Sequence, residues 1–138
     1  MRRRLALGAA LLLVLPSGCD VFAPSCGGAE ALDPVHAAVL ECAGWLDYVE
    51  QNVSTIDYID AAEFASPTDP TVIGTATCGR CAIAIATKRP LLEVLGTIVH
   101  EATHLEDECD NGEYPAIFNQ QQFVLDYRDN SCFDLPSR

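Results

Sequence analysis

The chain has 138 residues, of which 49% are hydrophobic and 20% are charged, which predicts one compact domain with a modest core. The formal net charge is −12, and so acidic a chain disfavours nucleic acid and anionic lipid surfaces as partners. The charge instead favours solubility, cationic partners or metal ions.

The N-terminal segment has the layout of an export signal. Three arginines precede an apolar run, from Leu5 to Leu15, that is too short to span a bilayer comfortably, and small residues follow it. The ending "LPSGC" resembles the lipobox of bacterial lipoproteins, although Pro16 stands where that pattern usually has leucine. The resemblance implies cleavage before Cys19 and a lipid anchor on that cysteine. An ordinary cut after Ala23, which would release a freely secreted protein, is the alternative.

These features divide the chain into a signal peptide at 1–18, a tether at 19–29 and one domain at 30–138. The signal contains three basic residues and no acidic one, so the rest of the chain has 5 basic and 20 acidic residues and a net charge of −15. We therefore expect an exported, strongly acidic protein of the cell envelope, anchored to a membrane through Cys19.

The cysteine count supports export. Six cysteines remain once Cys19 is removed or lipidated, and in an exported domain of this size they predict up to three disulfides of open connectivity. These six are Cys26, Cys42, Cys78, Cys81, Cys109 and Cys132. The segment "CGRC" invites comparison with redox motifs, but strand-like residues follow it instead of the helix that such a motif needs. A disulfide that closes this segment, or two disulfides that leave it, is the favoured interpretation.

The first half of the domain has helical patterning. Apolar residues recur at helical spacing over 29–53, with Asp33 as a helix cap and Pro34 as the first helical residue. A second, short helix is predicted over 55–65, after which "SPTDP" breaks the chain.

The period then changes to that of strands. Over 71–87, β-branched residues alternate with small ones, which predicts a β-hairpin with a two-residue turn at Gly79 and Arg80. Pro90 next opens a helix, which should end near 107–109 because "DNG" follows.

A last helix is predicted over 115–128. Four of its apolar residues are expected to be buried: Ile117, Phe118, Val124 and Leu125. The order helix, hairpin, helix, helix predicts a disulfide-stabilised α+β fold.

The residues that point to chemistry lie on the helix that Pro90 opens. His100 and His104 are four residues apart, a spacing that puts their Cβ atoms about 5–6 Å apart, so both imidazoles can converge on one metal ion. Glu101 is turned about 100° from His100, so it misses the metal but can reach a water bound to it. The spacing predicts a zinc site with Glu101 as the general base.

This H-E-x-x-H pattern, "HEATH" in the chain, resembles the active-site helix of the zincin metallopeptidases. The resemblance covers residues 82–118, and the pentapeptide is its specific part. It implies a small zincin-like metallopeptidase domain with Zn²⁺ as cofactor and a peptide or protein as substrate. It also implies that the strand at 82–87 binds the peptide along its edge.

A catalytic zinc needs a third protein ligand and an open position for water. Glu113, at the start of the next helix, resembles the glutamate that completes the site in gluzincins, and this makes it the favoured ligand. Asp110 lies where metzincins place theirs, but Asp107 replaces the glycine of that pattern, and Met1 is the only methionine, so no Met-turn can form. Asp107 and Asp126 stay open as further alternatives.

Two other features belong to this hypothesis. Gly112 and a disulfide through Cys109 would supply the tight reversal that returns the chain to the metal. Tyr114, Tyr127 and His36 are candidates for the side chain that many zincins use to stabilise the oxyanion.

The favoured function is therefore a zinc-dependent peptidase in an exported, lipid-anchored protein. Two alternatives stay open: a non-catalytic zinc-binding lipoprotein of the envelope, and a disulfide-stabilised lipoprotein that binds a partner without any metal.

Overall fold

A computed structural model describes residues 26–60 and 72–134, which form an α+β fold and confirm the predicted class. The predicted signal and Cys19 lie outside these ranges. The described elements are α1 (Pro34–Cys42), α2 (Leu46–Asn52), β1 (Thr55–Ile59), β2 (Gly74–Thr77), β3 (Ala82–Ala86), α3 (Leu91–Glu106) and α4 (Glu113–Asp129), with 3₁₀ turns at Cys78–Arg80 and Cys132–Asp134. Among them, no helix combines the length and the apolar character that a membrane span requires.

The segment predicted as one helix over 29–53 forms two helices. Asp33 caps α1 as predicted, because its Oδ1 accepts hydrogen bonds from two backbone N–H groups of the first turn, and Pro34 is the first helical residue. The helix cannot continue because Gly44 has a φ of +79°, a left-handed conformation that favours glycine and turns the chain before α2. The apolar spacing continues across this break, which is why the prediction of one helix was wrong.

β1 occupies part of the segment for which a helix over 55–65 was predicted, while residues 61–65 lie outside the described ranges. The strand pairs in parallel with the whole of β3, with Thr55 opposite Ala82. Ile56 is buried in the core. Pairing with a buried strand supplies hydrogen bonds and apolar contacts that a local helical pattern cannot match, so the helix prediction was wrong here.

The predicted hairpin is present, with β2 antiparallel to β3. Its connection is longer than the predicted two-residue turn at Gly79 and Arg80, because a 3₁₀ turn at Cys78–Arg80 is followed by Cys81 with a φ of +52°. The sheet order is β1-β3-β2, so β3 is the central strand and β2 lies at an edge.

The core lies between the sheet and α3, which packs against β2, β3 and all three other helices of the described ranges. Leu95, Ile98, Ala102 and Leu105 repeat at helical spacing and form the buried face of α3, whereas Leu91 is exposed. From the sheet, Ile56, Ile83 and Ile85 complete this core.

The buried face of α4 is not the predicted one. Ala116 and Phe123 are fully buried against α3, and Val124 is partly buried. Three of the residues predicted to be buried are exposed: Ile117 at 44%, Phe118 at 55% and Leu125 at 51%. The small Ala116 lets the helices approach, and polar partners on α3 draw Asn119 and Gln120 inward, so apolar spacing alone selected the wrong face.

The six cysteines form three disulfides, which confirms the predicted number. The pairs are Cys26–Cys81, Cys42–Cys132 and Cys78–Cys109, with Cα–Cα distances of 5.3, 5.8 and 6.1 Å. Both cysteines of "CGRC" therefore pair with cysteines outside that segment. They do not form a disulfide with each other, as a redox motif would require. The last two pairs also secure α4 just before its start and just after its end.

We expect Phe123→Ala to lower the free energy of unfolding by about 3–5 kcal/mol, because the ring is fully buried and its loss leaves a cavity. Phe118→Ala is the matched control on the same helix. Because Phe118 is exposed, the control should change stability by less than about 0.5 kcal/mol in the same denaturant titration. Equal losses would contradict the orientation of α4.

Candidate metal centre

His100 and His104 project from the C-terminal half of α3 toward one point. Their Nε2 atoms are 3.2 Å apart, and the rings meet edge to face with centroids 5.0 Å apart. The four-residue spacing accounts for this, because such side chains are neighbours on one helix face.

Glu113, the first residue of α4, brings its carboxylate to the same point. One oxygen lies 3.1 Å from Nε2 of His100, and the other lies 3.4 Å from Nε2 of His104. Ligand atoms from the three residues all lie within 4.8 Å of one another. The structure thus brings together the three side chains that the sequence favoured as ligands.

The spacing of these atoms fits a small tetrahedral metal ion. Metal–nitrogen and metal–oxygen bonds of about 2.0–2.1 Å put neighbouring tetrahedral ligands about 3.3–3.4 Å apart. The two histidine nitrogens are 3.2 Å apart, which is close to that value, and a different oxygen of the Glu113 carboxylate lies 3.1 or 3.4 Å from each of them. His100, His104 and Glu113 could therefore hold a metal ion.

The reversal between α3 and α4 makes this convergence possible. Its backbone turns through positive φ angles at Glu108, Cys109 and Gly112. Gly112 combines a φ of +68° with a ψ of −155°, a region essentially open to glycine alone, and Glu113 follows it directly. The Cys78–Cys109 disulfide ties the reversal to the hairpin, in agreement with the role predicted for Cys109.

The other predicted ligands are not part of the group. Across the described ranges, His100, His104 and Glu113 are the set of three metal-ligating side chains that converge. Asp126 instead accepts hydrogen bonds from the Trp45 indole and from Gln122.

The candidates for oxyanion stabilisation also lie elsewhere. His36 pairs with the Tyr58 hydroxyl at 2.8 Å, and Tyr127 packs against Phe123. Tyr114 is 79% exposed, and none of the three candidates is among the described residues that line the groove at the histidines.

Glu101 points from α3 toward β2 and is only 7% exposed. Burial raises the pKa of its carboxyl from 4.5 to about 7, and the negative charge of Glu113 contributes in the same direction. β2 can pass this close because Gly74 has no side chain: a Cβ there would lie 2.4 Å from Thr97 Cγ2 and 2.8 Å from Glu101 Oε1. The sequence signal for this close approach was a glycine inside a strand pattern.

The candidate ligands open onto a groove of about 670 Å³. Its walls are residues 72–76 of the β2 edge, α3 from Thr97 to His104, the reversal, and Gln120 of α4. The strand at 82–87, predicted to bind substrate along its edge, is the central strand β3 and has no free edge. The hairpin places β2 at the groove instead, which corrects the assignment.

Comparisons with protein-family models, curated proteins and solved structures find no match to this chain. The resemblance to zincins stays a prediction, carried by the "HEATH" pentapeptide. The structure also places Glu113 of the next helix and the buried Glu101 beside the two histidines.

We expect Glu113→Ala to weaken Zn²⁺ binding by more than about 100-fold, because loss of even an outer partner of a metal ligand costs about 10–100-fold. Asp110→Ala is the matched control, since this exposed residue lies in the same reversal and belongs to no ligand group. Competition with a chelating indicator measures both affinities. An equal or larger effect of Asp110→Ala would overturn the assignment of the third ligand.

Glu101 should also make the stability of the metal-free protein depend on pH. Because its folded pKa of about 7 lies above the ordinary 4.5, the folded chain binds this proton more tightly, and stability is lost as pH rises between these values. At pH 8 the chelator-treated Glu101→Gln variant should be more stable than wild type, by on the order of 3 kcal/mol. At pH 4 this advantage should disappear in denaturant titrations, and an advantage that does not vary with pH would contradict the origin in ionisation.

Proposed function

We propose that the protein is a zinc-dependent peptidase of the HExxH type, with His100, His104 and Glu113 as zinc ligands and Glu101 as the general base. The observation that carries the proposal is that two imidazole nitrogens of α3, 3.2 Å apart, meet the Glu113 carboxylate of α4, whose two oxygens lie 3.1 and 3.4 Å from them. A buried carboxyl group, Glu101, lies beside the histidines on α3.

The donor set supports zinc over harder or softer ions. Two imidazole nitrogens and one carboxylate oxygen are a ligand set typical of catalytic zinc, whereas calcium and magnesium prefer oxygen alone. Three protein ligands leave the fourth position for water, which separates a catalytic site from a closed structural one.

When bound, zinc would polarise a substrate carbonyl and lower the pKa of a coordinated water. Glu101 takes a proton from the attacking water and returns it to the leaving amine. Burial raises the pKa of Glu101 in the metal-free protein, so this carboxyl group has the affinity for a proton that a general base requires.

The edge of β2 supports an extended peptide as the substrate. Residues 72–76 line the groove, and within the part of the chain that the structure describes β2 has one sheet neighbour, β3. An extended peptide can add to such an edge through backbone hydrogen bonds, which would lay its carbonyl groups beside the histidines. Flexible segments suit this open groove better than folded proteins, because only an extended backbone can pair with a strand.

We also propose that the protein works outside the cytoplasm, in the cell envelope. Three disulfides support export, because thiols are kept reduced in the cytoplasm. The lipid anchor on Cys19 stays a prediction from the sequence.

The test compares the wild type with Glu101→Gln and uses Glu93→Gln, the same substitution two turns earlier on α3, as the control. All three should bind zinc, but Glu101→Gln should cleave a mixed peptide library about 10²–10⁴-fold more slowly, because proton transfer is lost.

If the protein binds zinc but shows no cleavage that depends on Glu101, the peptidase proposal is wrong, and a non-catalytic zinc-binding protein is the better interpretation. A wild type that takes up no zinc on reconstitution would leave a disulfide-stabilised protein that binds a partner without metal.

A further inference from the structure

Gln120 contacts the first histidine of the site from the side opposite the candidate ligands. Its Oε1 lies 3.1 Å from Nδ1 of His100. Gln120 stands seven residues after Glu113, so both project from the same face of α4. One helix therefore supplies both the third ligand and a partner for the first.

This contact bears on which nitrogen of His100 carries the proton. With the amide oxygen of Gln120 facing Nδ1, the hydrogen bond requires Nδ1 of His100 to be the donor, because an amide oxygen can only accept. In the neutral imidazole, Nε2 then carries a lone pair, and it faces Glu113 Oε2 at 3.1 Å and His104 Nε2 at 3.2 Å. A lone pair on Nε2 of His100 beside a carboxylate oxygen is suited to a cation or to a donated hydrogen.

We propose that Gln120 is a positioning residue that holds His100 in the Nδ1-protonated tautomer and so makes Nε2 the metal ligand. The metal-binding part of this inference rests on the proposed function, whereas the tautomer is a property of the metal-free protein as well. Hydrogen bonding to the second nitrogen of a ligating histidine orients the ring and raises its basicity as a ligand.

Gly96 explains how Gln120 reaches the histidine. It lies four residues before His100, on the same face of α3, and a Cβ at this position would be 3.4 Å from both Cγ and Nε2 of Gln120. Glycine is unfavourable in the middle of a helix, so its presence here fits a need for close approach. The stem of Gln120 crosses α3 at this point.

A second amide side chain holds α4 in the same rotation. Asn119 donates hydrogen bonds to the Thr103 hydroxyl at 3.1 Å and to the Tyr48 hydroxyl at 3.3 Å. Because adjacent residues on α4 pair with His100 and with the neighbour of His104, α4 cannot rotate without breaking both contacts. The contacts of Asn119 therefore help to keep the Gln120 amide beside His100.

The experiment separates the acceptor group of Gln120 from its volume. Gln120→Met keeps the length and loses the acceptor, Gln120→Glu restores an acceptor, and Gln121→Met is the control at the exposed neighbouring position. The readouts are Zn²⁺ affinity by chelator competition and the protonation of imidazole nitrogens by ¹⁵N NMR, in the purified oxidised protein with and without zinc. Only three histidines have to be assigned.

Gln120→Met should weaken zinc binding by about 10–100-fold and remove the Nδ1–H state of His100 from the metal-free spectrum. Gln120→Glu and Gln121→Met should stay within about threefold of wild type.

Equal affinities of Gln120→Met and Gln121→Met, or an Nε2-protonated His100 in the metal-free wild type, would overturn the inference. If wild type binds no zinc, the proposed function fails, and the NMR spectra alone then decide whether Gln120 orients His100.

Discussion

One helix can present two imidazoles to a metal ion by itself, but it cannot supply the third ligand, so the site depends on how α4 packs against α3. Glu113 reaches His100 and His104 only because Ala116 and Phe123 turn one face of α4 into the core. The packing of α4 against α3 therefore also places Glu113 beside the two histidines. A loosened α4 would lose the third ligand while α3 could still keep its two histidines side by side.

A chain with so modest a core secures this packing by covalent links. The disulfide at Cys109 acts just before α4 begins, and the one at Cys132 acts just after it ends, so both ends of the helix are tied to other elements. Gly112 then permits the backbone angle that points Glu113 back at the histidines. The third disulfide joins Cys26 to the hairpin and keeps the start of the domain against the sheet.

The acidic groups of the site lower the stability of the metal-free protein and favour the binding of a cation. Burial, and to a smaller extent the negative charge of Glu113, raises the pKa of Glu101, while two imidazole nitrogens converge with the Glu113 carboxylate. A buried carboxyl group beside a second carboxylate is costly as a structural feature, and a divalent cation would offset the repulsion between the two.

Features that depend on local spacing were determined by the sequence alone: the pairing of His100 with His104, the capped start of α1 and the alternating hairpin. The number of disulfides followed from the cysteine count. The helix over 55–65 failed because pairing with a central strand outweighs local spacing. Only the tertiary structure decided the third ligand, the edge strand at the groove, the disulfide connectivity and the contact from Gln120. Each of these features depends on contacts between separate elements. The rotation of α4 depends on Asn119 and Gln120, whose polar side chains turn inward to partners on α3, and apolar periodicity does not encode such contacts.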